Sequence, residues 1–160
     1  MIDKESESHC IFCRILAGEA PATFLHQDGL CSVFMDIRPV NPGHLLIIPN
    51  EHKPYLRDVE PEILSVMMRL ARRFTAALRA SGLQCEGVNL FLADGEAAGQ
   101  EVFHCHLHVF PRYRNDGFGL RFGPEYIVRA RAELEAAAAR IGAAVMEMER
   151  GDGSGSSAIE

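Results

Sequence analysis

The chain has 160 residues, of which 48% are hydrophobic and 24% charged, and it carries a formal net charge of −6 at pH 7. This length and composition are typical of one globular domain with its own hydrophobic core. The negative charge disfavours binding to nucleic acid or to an anionic membrane, and since no long apolar run and no signal-like start are found, we expect neither a membrane span nor secretion.

The composition changes towards the two ends of the chain. Residues 1–9 are polar and acidic, and residues 151–160 are rich in glycine and serine. Such segments bury little apolar surface, so we predict a flexible N-terminus and a disordered tail. Residues 10–150 are predicted to form one domain.

The first predicted elements form a hairpin followed by a buried strand. Residues 22–27 and 31–36 are predicted strands, and an Asp-Gly pair lies between them, as in tight hairpin turns. Residues 38–44 contain two prolines and a glycine and are predicted to form a loop. The apolar run at residues 44–49 has the length of a buried strand.

The second half of the domain combines helices with two more strands. Apolar residues follow helical spacing from about residue 60 to residue 80, with a proline in the first turn and a glycine after the end. Residues 88–93 and 102–110 are predicted strands, and residues 134–148 again have helical spacing. About five strands and two main helices in mixed order predict an α+β fold with a mostly antiparallel sheet.

Three histidines alternate along the last predicted strand, in the segment FHCHLHVFPR. Side chains on a strand alternate between its faces, so His104, His106 and His108 share one face. We expect this face to look onto a surface or a cleft. The residues predicted to face the core from the other side are Cys105, Leu107 and Val109.

The regular spacing leaves three interpretations of the histidines open. A single metal bound by all three is strained, because Cα atoms four residues apart on a strand are about 13 Å apart and metal–nitrogen bonds are about 2.0 to 2.1 Å long. Adjacent pairs can still bind a metal. Alternatively, the middle imidazole attacks phosphorus while a neighbour stabilises the phosphoryl oxygens. The third interpretation is a polar strand face without chemistry.

Three segments resemble the blocks of the histidine-triad (HIT) family in order and spacing. They are IFCRILAGEAPA (11–22), VFMDIRPVNPGHLLIIPNEH (33–52) and DGEAAGQEVFHCHLHVFPR (94–112). The resemblance implies a HIT-like α+β fold and a nucleotide-binding homodimer. It also implies hydrolysis or transfer of nucleoside monophosphates, with the middle histidine attacking the α-phosphorus.

The same resemblance implies roles for individual residues around the phosphate. His106 corresponds to the nucleophile, and His108 would lie beside the phosphate. His44 corresponds to a fourth active-site histidine that orients or polarises the surroundings of the nucleophile. Gly99 and Gln100 would place backbone and side-chain donors on the phosphate.

The resemblance also implies where the nucleoside binds. Asp36 would accept hydrogen bonds from the ribose hydroxyls, as carboxylates do in other nucleotide folds. A solvated turn residue is the alternative for Asp36. Core packing is the alternative for the apolar residues that would line the base pocket. These residues are Ile11, Phe12, Ile15, Phe34 and Ile37.

The sequence departs from the family pattern at two positions. Ala93 replaces an asparagine found in many relatives. Glu101 replaces a serine that the aminoacyl-adenylate and phosphoramidate hydrolases of the family carry, and this disfavours a specialisation for phosphoramidates. The ending HVFPRYRNDGF is closer to the dinucleoside polyphosphate hydrolases. Arg112 or Arg114 would approach a polyphosphate leaving group, or else lie on the surface.

The cysteines are odd in number, five in all, which disfavours a disulfide framework and favours a reduced, cytoplasmic protein. Cys10 and Cys13 have the spacing of one corner of a tetrahedral metal site. By resemblance, His52 and His104 would complete a closed site, which predicts structural zinc. The alternative is two free cysteines and a His104 that bonds a backbone carbonyl.

The expected function is therefore hydrolysis at the α-phosphate of adenylyl or dinucleoside polyphosphate substrates, through a covalent nucleotidyl-histidine on His106. Magnesium is expected only as the companion of a polyphosphate substrate. A purine nucleotide is the expected partner. The alternatives are a nucleotidyltransferase and a nucleotide-binding scaffold with weak turnover.

Overall fold

The structure is a computed structural model that describes residues 9–153. The predictions of a flexible N-terminus and a disordered tail concern residues that lie outside this range, apart from His9 and residues 151–153. The described residues divide into two compact units, separated between residues 118 and 119, whereas one domain was predicted.

The first unit contains an antiparallel sheet and two of the helices. The spatial order of its five strands is β1-β2-β3-β5-β4, and every neighbouring pair is antiparallel. This confirms the predicted α+β fold and the predicted sheet. The elements in chain order are α1 (Ile11–Leu16), β1 (Phe24–Gln27), β2 (Cys31–Met35), β3 (Leu45–Pro49), α2 (Pro61–Ala80), β4 (Gly87–Phe91) and β5 (Leu107–Arg112).

The predicted hairpin turn is held by an aspartate. Asp28 Oδ1 accepts hydrogen bonds from the backbone N–H groups of Leu30 and Cys31, both at 2.8 Å. Asn50 Nδ2 donates to the Asp28 carbonyl at 2.6 Å. A short polar side chain that bonds its own turn is typical of such positions. The turn thereby fixes the register of β1 on β2.

The sheet is covered on both faces, which explains the continuous apolar run in β3. Leu45 and Ile47 belong to a core cluster with α2, whereas Leu46 and Ile48 belong to a second cluster with α1. Successive strand residues point to opposite faces, so a strand covered on both sides is apolar throughout. The residues that α2 buries follow helical spacing and are Ile63, Met67, Leu70, Ala71 and Leu78.

The strand predicted at residues 102–110 begins later than expected. β5 starts at Leu107, so His104 and His106 precede the strand and only His108 lies on it. The alternation nevertheless persists, because Cys105 and Leu107 are in the core cluster as predicted. His104 is 0% exposed and His106 is 5% exposed, so neither lies on an open surface, and the alternative that this face lines a cleft stays a prediction.

The second unit contains one helix in its described residues, α3 (Arg131–Gly153). It includes the predicted helix at residues 134–148 and extends beyond it at both ends. The short helix α1 was not predicted, because six residues hold too few turns to show a period. None of the helices described between residues 9 and 153 is both long and apolar enough to cross a membrane.

Candidate active site and metal centre

Four potential metal ligands meet between α1 and the ends of two strands. Cys10 is the N-cap residue of α1 and Cys13 lies within the helix. His52 follows β3 and His104 precedes β5, and the loops that carry them are joined by a hydrogen bond from the Cys105 N–H to the Lys53 carbonyl at 2.5 Å. The ligand atoms of the two cysteines and two histidines all lie within 4.8 Å of one another.

The distances in this cluster fit a tetrahedral ion. His104 Nδ1 lies 3.6 Å from Cys10 Sγ and 3.6 Å from Cys13 Sγ, and His52 Nδ1 lies 3.2 Å from Cys13 Sγ. A tetrahedral zinc with ordinary Zn–S and Zn–N bonds separates sulfur from nitrogen by roughly 3.6 Å. The sulfur and nitrogen donor set is that of closed structural zinc sites.

The hydrogen bond of His104 leaves the correct nitrogen for a metal. His104 Nε2–H donates to the Pro49 carbonyl at 2.9 Å, so Nδ1 keeps its lone pair and faces the thiols. Burial, aided by the charges of His52 and His106, lowers the pKa of His104 to about 4, which keeps the ring neutral. The backbone contact expected as an alternative to metal binding is therefore present, but on the other nitrogen.

His106 presents a free ring nitrogen. Its Nδ1–H donates to the His104 carbonyl at 2.7 Å, which places the lone pair of the neutral ring on Nε2. Burial lowers the pKa of His106, so the neutral form is favoured. The edge-on ring of Phe12, with centroids 5.2 Å apart, limits rotation of this imidazole. Nε2 of His106 is therefore held in place and unprotonated, as a base or nucleophile must be.

A chain of hydrogen bonds fixes the other two histidines of the site. The Val40 N–H donates to His44 Nδ1 at 3.1 Å, so the proton of a neutral His44 lies on Nε2. That Nε2–H donates to His108 Nδ1 at 2.9 Å. His108 must then carry its own proton on Nε2. Burial, followed by the charges of His106 and His44, lowers the pKa of His108 to about 4, so the pair is neutral and His108 is a hydrogen-bond donor.

Asp36 lies beside this pair. Its Oδ2 is 3.5 Å from His44 Nε2 and 3.7 Å from His108 Nδ1, while its Oδ1 accepts the Arg38 N–H at 2.7 Å. These distances group one carboxylate with two imidazoles, as in a possible second metal site. The Val40 N–H argues against this, because it holds the proton of His44 on the nitrogen that would have to bind the metal.

The glycine-containing loop before the triad is braced from inside by Gln100. Gln100 Nε2 donates to the carbonyls of Pro54 and Val102, at 2.8 and 3.1 Å, and its Oε1 accepts the Gly95 N–H at 2.7 Å. The side chain predicted to donate to phosphate is thus engaged within the loop. Gly99 has a φ of 88°, a left-handed conformation that glycine adopts without strain.

The residues predicted to line the base pocket separate into two groups. Phe12, Ile15 and Phe34 are 7%, 9% and 2% exposed and pack together in the core cluster of α1. By contrast, Ile11 is 40% exposed and Ile37 is 90% exposed. The structure therefore brings the first three together and leaves the other two at the surface.

The Arg112 guanidinium is engaged by neighbouring side chains of its own unit. Its Nε and Nη2 donate to both carboxylate oxygens of Asp116, at 2.5 and 2.8 Å, and its Nη1 donates to Asn89 Oδ1 at 2.9 Å. Asp116 also accepts from Asn41 Nδ2 at 2.9 Å. This network joins the loop that carries Val40 to the end of β5. The sequence around Arg112 did not indicate that Asp116 and Asn89 would be its partners.

Two contacts near the site were not predicted from the sequence. The hydrogen bond from the Val40 N–H to His44 Nδ1 comes from a backbone group, so the type of residue at position 40 does not indicate it. Arg38 forms an ion pair with Glu101, Nη2 to Oε2, at 2.6 Å. The two residues are far apart in the chain, so no local pattern could connect them.

Comparison with known proteins agrees with this geometry. Residues 17–115 match the family model of the HIT domain. A HIT-like protein of Mycobacterium tuberculosis is 40% identical over 141 residues, which cover 84% of this chain and 97% of the relative. The adenylylsulfatase HINT3 of Arabidopsis thaliana is 36% identical over 111 residues, which cover 69% of this chain and 55% of the relative.

Solved structures share the fold. A HIT family protein from Bacillus anthracis has a TM-score of 0.77 at 36% identity, over 85% of this chain and 96% of its own. A zinc-bound histidine triad family protein from Mycobacterium smegmatis has a TM-score of 0.67 at 39% identity, over 86% and 99%. A histidine triad nucleotide-binding protein from Candida albicans has a TM-score of 0.75 at 27% identity, over 87% and 99%.

Proposed function

The chain belongs to the HIT-domain family, and we propose that it hydrolyses purine nucleotides at the α-phosphate, with adenylyl or dinucleoside polyphosphate compounds as substrates. The observation that carries the proposal is the orientation of His106. Its Nδ1–H is held by the His104 carbonyl at 2.7 Å, and the lone pair of Nε2 remains available for attack. A neutral, oriented imidazole is a competent nucleophile towards phosphorus.

The proposed reaction proceeds in two displacements. His106 Nε2 forms a bond to the α-phosphorus while the bond from phosphorus to the leaving group breaks. Water then attacks the nucleotidyl-histidine, and the imidazole departs with its lone pair. In this proposal His108 donates its Nε2–H to a phosphoryl oxygen and stabilises the negative charge that develops there in the transition state. His44 positions His108 through their 2.9 Å hydrogen bond.

Asp36 and the loop complete the proposed substrate contacts. The Asp36 carboxylate accepts from the ribose hydroxyls, and Gly99 allows the backbone to approach the phosphate closely. Gln100 holds the shape of that loop, with its side-chain donors engaged at 2.8 and 3.1 Å. The base lies against the apolar surface near Ile11 and Ile37, with Phe12, Ile15 and Phe34 packed behind it.

The comparisons support hydrolysis of an adenylyl compound. The Arabidopsis relative is an adenylylsulfatase and the Candida neighbour is a nucleotide-binding protein. Both names agree with a site that presents one nucleophilic nitrogen and one donor nitrogen to a phosphoryl group. The proposal extends this chemistry to the present chain.

Zinc in the cluster of Cys10, Cys13, His52 and His104 is part of the proposal, and the zinc-bound Mycobacterium smegmatis structure supports it. All four protein ligands are present, so the ion would have a structural role and supply no open position for substrate. Magnesium would enter only with a polyphosphate substrate. Cys10, Cys13, Cys31, Cys85 and Cys105 form no disulfide with one another. A cytoplasmic location and a homodimeric assembly are further parts of the proposal.

The proposal is tested by replacing the nucleophile with a residue of similar polarity. We expect His106→Asn to lower kcat for an adenylyl substrate by at least about 1,000-fold, since the covalent route is lost. Rapid quenching of the wild-type enzyme with radiolabelled substrate would trap label on the protein, and the variant would show none. His26→Asn, on the exposed hairpin, is the matched control and should keep wild-type turnover. Full turnover by His106→Asn would refute the mechanism.

A further inference from the structure

We propose that Arg38 and Glu101 set the charge selectivity of the site for the leaving group, with Arg38 favouring and Glu101 disfavouring an anionic leaving group such as sulfate or a phosphate chain. This inference rests on the proposed function and assigns the leaving-group side of the same site. Neither residue was predicted to act in this way. The basis is their position between two loops, their charge and their exposure.

The pair bridges the two loops that border the reacting centre. Arg38 lies two residues after Asp36, and its own N–H is held by Asp36 Oδ1 at 2.7 Å. Glu101 directly follows Gln100, whose side chain braces the glycine-containing loop. The ion pair at 2.6 Å therefore connects the proposed ribose-binding loop to the proposed phosphate-binding loop.

The charges of the pair lie close enough to act on the site. Burial lowers the pKa of His108, and the Glu101 carboxylate is one of the charges that oppose this shift. Glu101 is thus electrostatically linked to the histidine that would contact the phosphoryl oxygens. A negative charge at this point repels an anion that leaves the phosphorus, unless a cation neutralises it.

The exposure of the pair makes its partners exchangeable. The side chains of Arg38 and Glu101 are 78% and 73% exposed, and an exposed ion pair contributes little to stability. A sulfate or phosphate group can therefore replace the carboxylate as the partner of the guanidinium, whose planar fork suits both anions. A neutral leaving group such as ammonia does not compete with the Glu101 carboxylate for the guanidinium, so the ion pair stays formed.

The inference predicts a change in substrate preference rather than in overall activity. The quantity to measure is the ratio of kcat/KM for adenosine 5′-phosphosulfate to kcat/KM for adenosine 5′-phosphoramidate. Two charges about 6 Å apart in a water-like medium change an equilibrium about threefold. We expect Glu101→Gln to raise the ratio about threefold or more, Arg38→Gln to lower it by a similar factor, and the double variant to lie near the wild type.

Ionic strength provides a second readout of the charge effect. The Debye length falls to about 3 Å at 1 M salt, which screens the charges. The fold-changes of the kcat/KM ratio in Glu101→Gln and Arg38→Gln should therefore both approach one at high salt. The matched control is Glu125→Gln, which removes the carboxylate of another exposed ion pair, at 2.7 Å from Arg129, in the second unit. We expect that variant to keep the wild-type ratio.

The outcomes separate this inference from the proposed function. If the wild-type protein hydrolyses neither compound, the proposed function fails and this inference fails with it. If it hydrolyses them and the ratio does not respond to either variant, only the inference is overturned. Equal changes for both substrates would also overturn it, since they would mean that the pair holds the loops without sensing charge.

Discussion

Removal of the metal from the cysteine and histidine cluster should destabilise the first unit by detaching α1. The four ligands are the only side chains in the described residues that group two cysteines with two histidines. Cys10 and Cys13 both belong to the start of α1, whereas His52 and His104 belong to the sheet side. A bound ion would therefore join the start of the helix directly to the sheet side.

The magnitude follows from the apolar surface that α1 buries. Phe12 and Ile15 are 7% and 9% exposed, and full burial of a side chain of this size contributes about 1.5 to 3 kcal/mol. Exposing both therefore costs about 3 to 6 kcal/mol. In a chain of this length, 1 kcal/mol corresponds to about 2 to 4 °C, so Tm should fall by roughly 6 to 24 °C.

The assay is calorimetric unfolding with and without a chelator, together with a metal analysis of each sample. Cys13→Ala should unfold at the lower temperature and should not respond to the chelator. Cys85→Ala is the control, because this cysteine lies outside the cluster and should leave the chelator response intact. The reasoning is refuted if the purified protein holds no zinc, or if zinc is removed and Tm moves by less than about 2 °C.

Three further changes test the loops and the hairpin. Gly43 has a φ of 100° and an added Cβ would lie 2.9 Å from two leucine methyl groups, so we expect Gly43→Ala to lower the free energy of unfolding by at least about 2 kcal/mol in a urea titration. His44→Phe removes the donor to His108 and should lower kcat about 100-fold, with ¹⁵N NMR showing a mixture of His108 tautomers. The hydrogen bond from the Cys31 N–H and, as the second largest cause, the one from the His26 side chain lower the pKa of Asp28 from 3.8 to about 2. This stabilisation is complete above about pH 4 and is lost as the pH falls to about 2, so Asp28→Asn should flatten the pH dependence of Tm in that window.

Each of these expectations has an outcome that contradicts it. Gly29→Ala meets open space and should change the free energy of unfolding by less than about 0.5 kcal/mol, so an equal loss at both glycines would remove the steric argument. A single His108 tautomer in His44→Phe would show that His44 does not fix the proton. An unchanged acid limb in Asp28→Asn would mean that the turn contributes nothing to acid sensitivity.

The sheet could be predicted from the sequence because its signals are local. Each strand is bounded by turn residues, and β3 shows its burial on both faces in five consecutive buried positions. The start of β5 could not be predicted, because Cys105 keeps the alternation of a strand while its N–H bonds the Lys53 carbonyl, outside the sheet. Periodicity reports which side chains are buried, and it does not report which backbone partner is present.

The four potential metal ligands that meet in the structure could be named from spacing and resemblance, whereas the apolar residues proposed for the base pocket separate into a buried and an exposed group. The two cysteines are three residues apart, so one helix start places them together regardless of the rest of the fold. Whether an apolar residue can contact a base depends on which side of a packed cluster faces the solvent, and the sequence does not show this. Phe34 and Ile37 are close in the chain, yet one is 2% exposed and the other 90% exposed.

The three alternating histidines differ because each has its second nitrogen held by a different partner. His104 donates to the Pro49 carbonyl, His106 to the His104 carbonyl, and His108 accepts from His44. The first two are left with a lone pair on opposite ring nitrogens, one towards the thiols and one towards the proposed phosphate, and the third is left with a donor. Since the His104 carbonyl orients His106, a shift of the proposed metal ligand would also turn the proposed nucleophile. In the proposed function, the zinc site and the reacting nitrogen are therefore connected through one peptide group.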